Sequence, residues 1–312
     1  MSRGPRRMLT THVMVDWSAR SKPSPREPTK DAIWWAAARD GAVARIKYDR
    51  TRYAAVQNLI EFIAAELSAG RRMLVGFDFP FGYPVGVARH LAGRASAFAL
   101  WAWLAARIKD TKNNANNRYA VAAEINSAYA GVGPFWGRPA AWHCPGVPTR
   151  ASDRSCRRSH PTEKRVADEH ATVAKTVWQL FYNGSVGSQA LLGMPTLDRL
   201  RRTPGLSGNM AAWPFDGGLS VPDAAIVLAE VYPSLLREAI AERAGENEIL
   251  DRAQVRVNAE AFASLDARGK LAPLFGGSPA LTASQRRVVE AEEAWILGLG
   301  HEKALLESSD WA

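Results

Sequence analysis

Apolar residues fall in short unbroken runs near the start of the chain and at helical spacing further along. The run His12, Val13, Met14, Val15 ends in Asp16, and the run from Arg72 to Phe77 ends in Asp78. Runs of this length bounded by polar residues predict buried strands, the first over 12–17. Between them, Ile33-Trp34-Trp35-Ala36 and Val43-Ala44-Arg45-Ile46 flank Asp40-Gly41, a pair suited to the positive φ angles of a type I′ turn, so a hairpin is expected. From 53 to 67 the residues Val56, Leu59, Ile60, Ile63 and Leu67 recur at helical spacing, with Gly70 placed to end the helix. A third strand-like run, Ile226 to Ala229, ends in Glu230 and leads toward a helix expected over 234–243. Further helices are expected over 251–265 and 283–297.

The order strand, strand, strand, helix, strand predicts an α/β fold with a mixed sheet: three antiparallel strands, then parallel strands with crossover helices, in the RNase H-like manner. The chain between Asp78 and Glu230 is far longer than one crossover requires, and its composition shifts toward Asn, Pro, Trp and Arg. We read one RNase H-like domain over 1–312 with a helical and irregular insertion over 85–215. The insertion contains a helix near 95–108, a polar stretch from Thr111 to Asn117 and irregular chain over 131–161. With 47% hydrophobic residues in 312, the chain can bury a large core.

An acid at the end of a fully apolar strand is costly to desolvate unless it is paired or holds a metal. Asp16, Asp78 and Glu230 all stand in that position, which suggests a shared cation site. Magnesium or manganese needs hard oxygen ligands and keeps waters, so three or four acids from different elements suffice. Asp251, at the start of a predicted helix, is the preferred fourth acid, with Glu292 and Glu293 in competition. These residues are the candidate catalytic and metal-binding set. The local alternative for any one of them is a cap or turn bond, or, for Glu230, an ion pair with an arginine such as Arg237.

Val15-Asp16-Trp17-Ser18, Gly76-Phe77-Asp78-Phe79-Pro80 and Glu230-Val231-Tyr232-Pro233 resemble signature blocks of the DUF429 family of RNase H-like nucleases. The resemblance extends to Gly184-Ser185-Val186-Gly187-Ser188-Gln189 and to Glu292-Glu293-Ala294-Trp295-Ile296-Leu297-Gly298, blocks of a bacterial branch. It implies the RNase H-like fold and a Mg²⁺- or Mn²⁺-dependent nuclease site. Some similar proteins are linked to molybdopterin guanine dinucleotide synthesis. A noncatalytic or nucleotide-dependent protein that binds a small phosphorylated ligand at the same acids is therefore the alternative. No guanylyltransferase signature is present, and the segment after Asp16 lacks the glycine of a phosphate loop.

A net charge of +9 and a pI near 9.8 favour an acidic partner, nucleic acid or another phosphate-bearing ligand. Arg157, Arg158, Lys164 and Arg165 lie in the densest basic stretch and are candidate phosphate contacts, beside the reading of a solvated charge run. Ser18, Ser188 and Gln189 are further candidate substrate contacts, with capping as the local alternative. Trp136 and Trp142 suit either stacking on bases or packing the insertion onto the core. His143, Cys144, Cys156 and His160 have poor spacing for zinc. No membrane span is expected, and two cysteines fit a reducing compartment, so the cytoplasm is the expected location.

Overall fold

A strand such as β1 (Thr11–Asp16), apolar from Val13 to Val15, is stable only where both faces are covered, and it takes an inner place in a six-stranded sheet. The other strands are β2 (Ile33–Arg39), β3 (Ala42–Asp49), β4 (Met73–Phe77), β5 (Met210–Ala212) and β6 (Ile226–Glu230). Their order is β3-β2-β1-β4-β6-β5. The first three pair antiparallel, whereas β1–β4, β4–β6 and β5–β6 pair parallel. The computed structural model describes residues 8–171 and 173–307; the basic segment 1–7 lies outside them.

Asp40 and Gly41 both adopt positive φ, 56° and 80°, which matches the right-handed twist of the β2–β3 hairpin. Helix α1 (Arg52–Ser68) starts at Thr51, whose hydroxyl accepts from Ala54 N at 3.2 Å. It ends where Gly70 turns left-handed at φ 70°. The remaining helices are α2 (Val87–Ala92), α3 (Ala97–Ala105), α4 (Arg118–Ser127), α5 (Val166–His170), α6 (Gly187–Arg202), α7 (Arg237–Arg243), α8 (Leu250–Ala267), α9 (Ala283–Val288) and α10 (Glu302–Glu307).

The strand alternation sends Val13, Val15, Val75, Phe77 and Leu228 to one face, against α1, α3, α4 and α6. Met14, Leu74, Val227 and Ala229 point to the other, against α7, α8 and the C-terminal segment. Three layers result, with a core on each side of the sheet.

Several elements depart from the sequence expectations. The helix expected over 95–108 is shorter, α3 at Ala97–Ala105, and an unexpected short helix, α2, precedes it and ends at Gly93, φ 74°. The one expected over 234–243 opens as a 3₁₀ turn at Pro233–Leu236 before α7. The helix expected over 283–297 stops at Val288, passes through a π turn (Val289–Glu293) and leaves it at Ala294, φ 69°. That turn faces Glu292 and Glu293 inward, and the chain then runs extended, Ile296 bridging to Glu230. Strand β5, only three residues long, falls inside the span 85–215 yet forms the sheet edge beside β6.

Candidate functional site

The β1–β4 register pairs Val15 with Phe77, so Asp16 and Asp78 follow side by side at the strand ends. Asp78 N–H donates to the Val15 carbonyl at 3.2 Å, and its Oδ1 accepts from Trp17 N–H at 2.8 Å. The Asp78 carboxylate is therefore steered by the backbone at the end of the neighbouring strand. By alternation Asp16 and Asp78 both leave the sheet toward α8, whose first turn carries Asp251. Gln254, one turn on, donates to Asp16 Oδ2 at 3.3 Å. Asp251 Oδ2 accepts from Asp31 N–H at 2.6 Å, tying the loop after β1 to the N-terminus of α8.

Burial pushes the Asp16 carboxyl well above the usual range, and the charges of Asp78, Asp251 and Asp31 push it further. Burial also raises Asp78, to about 7, against the opposing pull of the Trp17 N–H and its bond to Asp16. Asp251 is raised by burial too, with the Asp31 N–H opposing. Like charges crowded in one desolvated corner retain a proton unless a cation replaces it. Among the described residues no group of three or more His, Cys, Asp or Glu side chains forms a ready-made metal cage. The donors Asp16 and Asp78, with the Gln254 amide beside them, are oxygen-rich and free of thiol or imidazole. Donors of that kind are the hard oxygen type that Mg²⁺ and Mn²⁺ prefer over softer ligands.

Glu230 does not join them, and the reason is register. It pairs with Phe77, one residue short of Asp78, so its side chain leaves the opposite face of the sheet. There it meets Arg165 through two 2.7 Å bonds and accepts from Phe81 N–H at 2.9 Å. The ion-pair partner is Arg165 rather than Arg237. Arg165 in turn binds Asp168 through Nε and Nη2 at 3.0 and 2.8 Å. Burial alone would lower the pKa of Arg165, but Asp168 and Glu230 together hold it well above its ordinary value. Burial raises Glu230 and Arg165 opposes it. Only 1% exposed, Arg165 has both of its forks occupied and is a strut between α5 and β6, not the phosphate contact expected from sequence.

Glu293 accepts from Val85 N–H and Val166 N–H, each at 2.6 Å, and Glu292 from Gly86 N–H at 3.1 Å. Both acids cap backbone, so neither supplies the fourth ligand. Of the other candidates, Ser18 donates to the Asp31 carbonyl at 2.8 Å and accepts from Arg20 N–H at 3.3 Å, the capping alternative. Ser188 is buried, donating to the Leu180 carbonyl at 2.7 Å. Gln189 donates to the Trp17 carbonyl at 3.0 Å and stays half-buried at the cleft wall. Arg157 pairs with Glu163 at 3.0 Å, Arg158 is exposed, and Lys164 is half-buried with Nζ 3.3 Å from the Asp168 carbonyl. Cys144 donates to Tyr119 O at 3.4 Å and His160 Nε2 lies 3.0 Å from Ala130 O, while Cys156 is exposed. Trp136 packs against the core, and Trp142 is exposed.

Two clefts flank the acids. One, of about 950 Å³, is lined by Asp78, Lys164, Arg165, Gln189 and Gln254. The other, of about 1110 Å³, is lined by Asp16, Ser18, Arg118, Gln189 and Asp251. The loop between Trp17 and Lys22 that walls the second is braced from below. Arg52 Nη1 donates to the carbonyls of Ser18 and Arg20 at 3.0 and 2.8 Å, and Asn114 Nδ2 to that of Lys22 at 3.2 Å. The polar stretch around Asn114 thus acts as a clamp. Sequence reasoning missed Asp31, Gln254, Arg165 as the partner of Glu230, and Arg118. Gln254 carried a signal, standing one helical turn after Asp251; the others carried none. No helix among the described residues is long and apolar enough to cross a membrane. No family model, curated protein or solved structure matches the chain.

Proposed function

We propose that the protein is a phosphodiester hydrolase of RNase H-like type that acts on nucleic acid with Mg²⁺ or Mn²⁺. One observation carries the reading: Asp16 and Asp78 stand together at the ends of adjacent parallel strands, desolvated, raised in pKa and without a basic partner among the described residues. The strand order β3-β2-β1-β4, antiparallel then parallel, supports the fold assignment. Asp16 and Asp78 would hold the ion, with Asp251 close by. A divalent ion there supplies an activated water and offsets charge on the leaving oxygen. The chain's own part is positional: Gln254 fixes Asp16, Trp17 N–H fixes Asp78, and the Asp31–Asp251 bond closes the loop over them.

Binding of a small phosphorylated ligand, including one connected with molybdopterin guanine dinucleotide, is the second reading. The cleft of about 950 Å³, a size common for small-molecule sites, favours it. Calorimetric titration of Mn²⁺ into the wild type and Asp16→Asn, with cleavage of single- and double-stranded substrates in parallel, separates the two. Saturable binding and cleavage, both lost in the variant, are expected. Binding without cleavage shifts the assignment to the small ligand, and no Mn²⁺ binding overturns the metal site.

A further inference from the structure

Arg118 opens α4 and is 7% exposed, yet each hydrogen bond it makes is to a neutral oxygen. Nε donates to Ser188 Oγ at 2.9 Å, and Nη1 donates to Ser21 Oγ and Asn116 Oδ1, each at 2.9 Å. The other deeply buried arginines are treated differently. Arg52 is paired with Asp110 at 2.6 Å, Arg154 with Glu163 at 2.9 Å, and Arg165 with both Asp168 and Glu230. Among the described residues no carboxylate forms an ion pair with Arg118. A buried guanidinium is expected to be paired, because its desolvation is otherwise uncompensated. Burial accordingly pushes its pKa down.

Arg118 lines the cleft that also holds Asp16 and Asp251. Arg20 and Lys22, both exposed, line it too and add positive charge. Trp142, Phe181 and Tyr182, large side chains left open to solvent, line the same cleft. Trp142 meets Tyr119 edge to face at 74°, and the Arg118 guanidinium lies 4.8 Å from that Tyr119 ring. One cleft thus holds carboxylates, an unmatched guanidinium and unstacked aromatic faces.

We propose that Arg118 seats a phosphate oxygen of a nucleotide unit whose base stacks on Trp142. With Nε and Nη1 committed to Ser188, Ser21 and Asn116, Nη2 is the nitrogen left to donate a charge-assisted bond to a phosphate oxygen, and an aromatic face accepts any base. The unit belongs either to a single strand or to a free nucleotide; the recognition chemistry is the same. The assignment rests on the hydrolase reading in that it places the ligand beside Asp16 and Asp251.

The test is fluorescence anisotropy of a fluorescein-labelled ten-nucleotide oligo(dT) in EDTA, where no cleavage enters the signal. Arg118→Met is expected to weaken binding tenfold or more and to flatten the plot of log K against log salt by about 0.7. Arg118→Lys keeps the salt slope and loses affinity, because an ammonium keeps the charge but cannot hold Ser188, Ser21 and Asn116 while also reaching the phosphate. Trp142→Ala, at an exposed position that leaves folding alone, is expected to weaken binding about fivefold or more. Should Arg118→Met fail to fold, Arg118→Lys and Trp142→Ala decide. Competition by an unlabelled ten-mer alone assigns the seat to a strand, and equal competition by GMP assigns it to a free nucleotide; both support it. Wild-type affinity and slope in the Arg118 variants overturn the proposal, as does failure of the wild type to bind either probe. Loss of cleavage in Asp16→Asn reads the hydrolase assignment separately, so failure of one is distinguishable from failure of the other.

Discussion

Two carboxylates close enough to share a proton titrate as a pair, and the pair sets how this protein responds to pH. Asp78 is raised by burial to about 7, whereas an unfolded aspartate titrates near 3.9. Across that window the folded state holds a proton that the unfolded state has released. The stabilisation is complete below about pH 4 and is lost as pH rises through about 7. In EDTA, wild-type Tm is therefore expected to fall from pH 5 to pH 8 relative to Asp78→Asn, whose amide does not titrate. Mn²⁺ substitutes for the proton, so its stabilising effect on the wild type should be larger at pH 8 than at pH 5. Parallel Tm curves for the two proteins, with and without Mn²⁺, would remove the shared proton from the account.

At the scale of elements, close backbone approach positions the turn after Asp78. A Cβ built on Gly82 would lie 2.1 Å from the Glu292 carbonyl, so only glycine lets the 80–86 turn meet the π turn. Gly82→Ala is expected to cost about 2–4 kcal/mol in urea unfolding, a magnitude typical of forced overpacking against backbone, and to lower cleavage by displacing Asp78. Unchanged stability would show that the π turn gives way freely. This contact also explains which parts of the fold were legible in the sequence. The hairpin at Asp40-Gly41, α1 and the strands ending in Asp16, Asp78 and Glu230 follow from local pattern alone. The break after Val288 does not, because Glu292 and Glu293 are turned inward by amides more than a hundred residues away. Pattern likewise locates the strand-end acids without saying which pair in register. Asp16 and Asp78 follow side by side on adjacent strands, and Glu230 is separated from them by a single residue of register. Arg118 was illegible because its meaning lies in what it lacks, a carboxylate, and only the folded chain reveals that.

For the whole molecule, the question is how the long stretch of chain between β4 and β6 is held against the sheet firmly enough to line two clefts. Arg165 sits at that junction, binding Asp168 of its own segment and Glu230 of β6, and donating to the Glu293 carbonyl at 2.9 Å. A buried network of this kind contributes little net stability over an apolar replacement, yet removing one partner strands the others as uncompensated charge. Arg165→Met leaves two buried acids unpaired and is expected to cost about 3–5 kcal/mol. Glu230→Gln keeps shape and one acceptor oxygen, so a smaller loss, about 1–3 kcal/mol, is expected. Because Glu230 leaves the opposite face of the sheet and is held by Arg165, the folded fraction of Glu230→Gln should still bind Mn²⁺ with wild-type affinity and cleave at close to the wild-type rate. Urea unfolding beside a Mn²⁺ titration decides the matter: lowered stability with intact metal binding makes Glu230 a strut, whereas intact stability with lost metal binding returns it to the chemistry.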